Sequence, residues 1–128
     1  MQDFSVTITP RFYETDAMGH INNATLAAWF EVARVRYIEA LAGDGAAVGR
    51  DWILATITID FLDETFYGSD VELRIVDASI GNTSLTVFCE MWQDNRLTVK
   101  GKAVVVHIDY DAKQPRRVPD AMRERLSP

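Results

Sequence analysis

The chain has one cysteine, Cys89, so no disulfide can close within it, and a reducing compartment is the natural expectation. Its only histidines are His20 and His107, and two distant histidines with one cysteine make no zinc set. Positive charge is also scarce. Lys and Arg number 13 against 19 Asp and Glu, a net charge of −6, and no basic run exists to hold nucleic acid locally. An acidic ligand would therefore need a local cluster of cations. No apolar run approaches the ~20 residues that span a bilayer, and Met1-Gln2-Asp3-Phe4 does not read as the start of a signal peptide. The expectation is a soluble cytoplasmic protein with no membrane and no nucleic-acid partner. At 128 residues the chain reads as one domain, 1–128, long enough to bury a core without staples.

Periodicity then orders the elements. Phe4, Val6 and Ile8 alternate with Ser5, Thr7 and Thr9, which predicts a short strand ended by Pro10. Leu26, Phe30, Ala33, Tyr37 and Leu41 recur at helical steps, with Asn22 or Asn23 suited to cap the helix start. Ala27, Ala28, Trp29 and Val32 make the other face apolar too, so the helix is expected to be wrapped. Gly43, Gly45 and Gly49 predict its end and a flexible connection through Asp51. Beyond residue 50 the pattern is strand: Trp52 to Phe61, a run around Val71, Leu73 and Ile75, another around Leu85, Val87, Cys89 and Met91, then Leu97 to Tyr110. Gly81-Asn82 and Asp94-Asn95 read as turns. Asp120 to Leu126 reads as a short helix. The economical fold is α+β, a five-stranded antiparallel sheet curled around one long central helix.

Between the first strand and that helix lies Tyr13-Glu14-Thr15-Asp16-Ala17-Met18-Gly19-His20-Ile21-Asn22-Asn23. A carboxylate, a glycine, an imidazole and two amides stand together directly before a helix start. Helix starts carry unpaired N–H groups and the positive end of the macrodipole. A polarisable carbonyl placed there would meet donors and a carboxylate at once. Glu31 and Arg34, three apart on the helix, can pair with each other, and Cys89 and His107 read as core residues.

Asp16 through Asn23, followed by Phe30-Glu31-Val32-Ala33-Arg34, resembles the signature of the hotdog-fold acyl thioesterases, in particular the 4-hydroxybenzoyl-CoA thioesterase branch. Ile59-Asp60-Phe61 through Asp70, Gly101 and Arg117-Val118-Pro119 extend the resemblance over nearly the whole chain. The plant acyl-ACP thioesterases have a related loop, in which the position of Met18 is an Asn; that difference favours chemistry by Asp16 and backbone amides.

The resemblance implies hydrolysis of an acyl-CoA, without a cofactor. Asp16 would act as general base or as nucleophile. Gly19 would let the backbone approach the thioester, and N–H groups among Gly19, His20 and Ile21 would hold the developing oxyanion. His20 would serve as acid, as a holding group or as packing. Tyr13, Met18, Ile21, Asn22, Asn23 and Trp29 are the expected substrate contacts, with Trp52 as a further acyl-channel candidate. Lys100, Lys102, Arg116 and Arg117 are the candidates for the phosphates of coenzyme A. Asp60 and Glu64 read first as surface groups, with a possible approach to a partner's site. The loop Ala42 to Asp51 is a candidate gate. A homodimer is the minimum assembly, with a homotetramer open. Three other functions stay open: an acyl-ACP thioesterase, a non-catalytic acyl-CoA-binding protein, and a hotdog dehydratase, which the lack of proline between Asp16 and His20 disfavours.

Overall fold

The computed structural model describes residues 4–43 and 48–126. Gly45 and the middle of the candidate gate therefore lie outside the described residues. Strand β1 (Phe4–Ile8) leads through a 3-10 turn (Phe12–Glu14) to the long helix α1 (Asn23–Ala42). A single helical turn, α2 (Val48–Asp51), stands in the expected connection, directly before β2 (Trp52–Phe61). The meander β3 (Val71–Ile80), β4 (Ser84–Gln93) and β5 (Arg96–Asp109) follows, then a two-residue strand β6 (Gln114–Pro115) and α3 (Asp120–Leu126). The main sheet is antiparallel with strand order β1-β3-β4-β5-β2, and β6 adds to β5. This is the curled sheet and central helix that the hotdog resemblance implies.

Local chemistry accounts for the turns and the curl. Asp94 and Asn95 both take positive φ, 50° and 61°, which suits the two-residue turn between right-twisted strands. Register shifts in β2, in β3 and near the end of β4 bend the sheet. Inward positions of the meander alternate cleanly: Leu85, Val87, Cys89 and Met91 are buried, as are Val99, Ala103 and Val105. They pack beneath Leu26, Phe30, Ala33, Tyr37 and Ile38 of α1. Phe30 packs directly on the backbone at Gly101, where a Cβ would come within 2.8 Å of the ring. Burial pushes the Cys89 thiol up to about 12, so this cysteine is inert packing.

The helix is covered on one side within a single chain. Ala28 and Val32 are exposed, unlike the wrapped helix expected from its apolar second face. Strand β2 is also bare along most of its length, with Ile53, Leu54, Ile57 and Phe61 exposed at an unpaired sheet edge. Arg34 is buried beside Glu31 at 3.6 Å, and no partner for its Nη1 is found among the described residues. His107 is buried, with Nδ1 3.0 Å from the Arg117 carbonyl and its ring against Trp52. Among the described residues no helix is long and apolar enough to cross a membrane.

Candidate active site

The loop before α1 is tied at both ends by Glu14, a buried carboxylate that the sequence reading passed over. Its Oε1 accepts the Arg11 N–H at 2.7 Å and its Oε2 accepts the indole N–H of Trp29 at 3.0 Å. Its carbonyl accepts the Asn22 N–H at 2.9 Å. Turn and helix are thus joined through one residue. A buried carboxylate with these donors is well compensated; removing it would leave a buried indole N–H unpaired.

Between those ties Asp16 folds the loop around itself. Its Oδ1 accepts the N–H groups of Met18 at 2.8 Å and His20 at 3.1 Å. Its own N–H donates to the His20 carbonyl at 2.8 Å, and its carbonyl accepts from Gly19 at 3.2 Å. Such a closed turn needs a left-handed residue, and Gly19 supplies it with φ of +80°. Oδ2 of Asp16 has no hydrogen-bond partner among the described residues.

The hydrogen bonds correct one expectation. The three N–H groups proposed for the oxyanion are all engaged: Gly19 with Asp16, His20 with the Asp16 carboxylate, and Ile21 with the Thr65 carbonyl at 2.7 Å. The reason is that the loop must satisfy its own backbone to hold its shape. At the helix start Asn22 is the cap, its Oδ1 accepting the Ala24 N–H at 2.7 Å and its carbonyl accepting from Leu26. The N–H groups of Asn23 and Thr25 then remain without an acceptor among the described residues.

An open cleft of about 490 Å³ brings Asp16, His20, Ile21, Asn23 and Leu26 together with residues 61–65. The second wall is as firmly fixed as the loop. Asp63 pairs with Arg96 at 2.8 Å and accepts the Glu64 N–H at 2.8 Å. These two contacts, the Glu64 N–H first, hold its carboxyl below the usual carboxylate range. Gln93, fully buried, pairs with both the N–H and the carbonyl of Phe66 at 2.9 and 2.7 Å and donates to Ser69 at 2.9 Å. Its burial was legible, because it continues the inward alternation of Leu85, Val87, Cys89 and Met91. Glu64 reaches across the cleft to His20, Nε2 to Oε2 3.1 Å.

The other expected site residues are dispersed. Tyr13 and Met18 are exposed on the loop, with Phe12 and Tyr67 in edge-to-face contact beside them. Trp29 and Trp52 are turned into the core and do not line the cleft. Lys100 and Lys102 project from β5 on the face away from Phe30, opposite Asp60 and Thr58 of β2. Arg116 and Arg117 are at the far end of β5, near His107. Eight strand residues, roughly 26 Å, separate that end from Val99 beside the cleft. There they contact Asp51 and Asp120, so within one chain they are not at the cleft. Among the described residues no three His, Cys, Asp or Glu side chains converge as a metal-binding group.

A profile of the thioesterase-like superfamily matches residues 10–126, which span both walls of this cleft. The chain belongs to that superfamily. A predicted thioesterase from Bacillus stearothermophilus is 34% identical, with a TM-score of 0.89 over 98% of this chain and 94% of that one. A thioesterase from Thermus thermophilus, solved in complex with coenzyme A and Zn, is 28% identical, with a TM-score of 0.84 over 95% of this chain and 90% of that one. The uncharacterized protein YsmA of Bacillus subtilis (strain 168) is 28% identical over 80 residues; the match spans 62% of this chain and 54% of that protein. In this thioesterase-like chain, the curled sheet around one helix is the hotdog fold, shared with its solved relatives.

Proposed function

We propose that this protein hydrolyses acyl-CoA thioesters at the cleft between the Asp16 loop and residues 61–65. The observation that carries the reading is that one cleft is lined both by Asp16, whose Oδ2 has no partner among the described residues, and by Asn23, whose N–H is open at the start of α1. The thioester carbonyl oxygen lies against the Asn23 N–H, where a preorganised donor and the helix dipole stabilise the charge that develops in the transition state. Asp16 Oδ2 then either takes a proton from attacking water or attacks the carbon directly to form an anhydride that water opens. In both routes the carbon–sulfur bond breaks and the thiol leaves. Ile21 and Leu26 supply apolar wall to the acyl group. Coenzyme A as carrier is supported by the Thermus thioesterase complexed with it.

The working unit in this reading is at least a homodimer. The bare β2 edge, with four large apolar side chains exposed, and the uncovered Ala28–Val32 face of α1 support it. The cleft's own charged lining is mostly acidic, through Asp16, Asp63 and Glu64.

The test is release of free thiol from short, medium and long aliphatic acyl-CoAs and from benzoyl- and phenylacetyl-CoA, with acyl-ACP run alongside. Turnover of at least one acyl-CoA is expected, and its profile reports the depth of the pocket. Hydrolysis confined to acyl-ACP would move the carrier, and no turnover on either would remove the reading.

A further inference from the structure

We propose that Glu64 is a positioning residue that acts through His20. The inference rests on the hydrolytic reading above. His20 is held at its backbone, at one ring edge and at Nε2. Its N–H and carbonyl are bound to Asp16, and its ring meets the edge of Phe66 with centroids 4.9 Å apart. Its Nε2 is 3.1 Å from Glu64 Oε2. In the neutral ring, a donor at Nε2 facing this carboxylate leaves the lone pair on Nδ1. No partner of Nδ1 is found among the described residues.

The segment that carries Glu64 is built to deliver it. The N–H groups of Leu62 and Asp63 both donate to the Thr98 carbonyl at 2.9 and 3.1 Å. Asp63 is fixed by Arg96 and receives the Glu64 N–H. Thr65 accepts from Ile21, and Phe66 is clamped by Gln93. Glu64 itself is exposed, its side chain 57% accessible, so its contact with His20 is not forced by packing. A carboxylate left in solvent on so constrained a segment has the ring nitrogen as its described side-chain partner.

The role follows from the tautomer. Water adds its oxygen to the carbonyl carbon and passes one proton to Asp16 Oδ2. The hydrogen that it keeps is accepted by His20 Nδ1, which orients the attack. The carbon–sulfur electron pair leaves with sulfur, and sulfur takes the proton from Asp16. His20 gains and loses no proton in this sequence, and Glu64 fixes which of its nitrogens faces the water.

The test is a double-mutant cycle on the full-length protein, measuring kcat and KM for wild type, Glu64→Ala, His20→Ala and the pair. Glu64→Ala should lower kcat about tenfold with KM little changed, and Glu64→Gln, which keeps an acceptor oxygen for Nε2, should regain most of it. In the His20→Ala background Glu64→Ala should cost nothing further. Equal losses in both backgrounds, an unchanged kcat in Glu64→Ala, or no recovery with Gln would each overturn the proposal. NMR of ¹³C-labelled histidine gives a readout independent of activity: Glu64→Ala should move the His20 ring signals and leave those of His107 in place. Unmoved His20 signals would contradict the contact itself. A wild type without turnover would overturn the hydrolytic reading, and this role with it; a wild type with Asp16-dependent turnover and a silent Glu64 would overturn this role alone.

Discussion

At the scale of the residue, the proposed hydrolysis turns on how Asp16 divides its two oxygens. Oδ1 is spent on the N–H groups of Met18 and His20, which close the loop; Oδ2 has no partner among the described residues. The type and place of this residue were legible in the sequence, as were Gly19 and the Asn22 cap, because turn and cap chemistry is local. The donors were not. Which N–H groups stay open depends on Thr65, 44 residues after Ile21, and no local pattern predicts that pairing. Glu14 was missed for the same reason, since its partner Trp29 is across the loop. Asp63 yields a pH prediction. Its folded-state carboxyl titrates below the unfolded value, so its contribution to stability is present above the ordinary carboxylate range and is lost as pH falls through the folded value. The difference in thermal midpoint between wild type and Asp63→Asn should therefore be largest near neutral pH and close on acidification. A gap that widens in acid would contradict the Asp63–Arg96 assignment.

At the scale of the element, the site depends on where α1 sits on the sheet. Its N-terminus reaches the cleft because Phe30 lies directly on the backbone of β5, which only a residue without a Cβ permits at Gly101. Gly101→Ala should thus lower the unfolding free energy by roughly 1–3 kcal/mol, as overpacked cores do. Chemical denaturation measures it, and a neutral or stabilising result would mean that the helix can ride up at no cost. The order of elements along the chain and the meander turns were readable because alternation and the Asp94-Asn95 pair are strong local signals. The turn Val48–Asp51 was not, being four residues among glycines with no period to show. Trp29 and Trp52, expected at the substrate, are core, because size alone does not tell which side of a helix or edge strand a ring takes.

At the scale of the whole molecule, one chain leaves apolar surface on both β2 and α1, and the proposed dimer covers it. Sedimentation should give a mass of at least two chains. Ile57→Lys, which puts a charge on the exposed β2 edge, should shift the protein toward the single chain and reduce turnover with it. An unchanged mass would place the interface elsewhere. The central claim is that Asp16 Oδ2 carries the hydrolysis, and the most direct measurement is thiol release by wild type and Asp16→Asn side by side, with circular dichroism on both. Asparagine keeps the Oδ1 that closes the loop and replaces only the free oxygen. An unchanged fold with turnover lowered by about 10²–10⁴-fold is the predicted result. Full turnover in Asp16→Asn would contradict it.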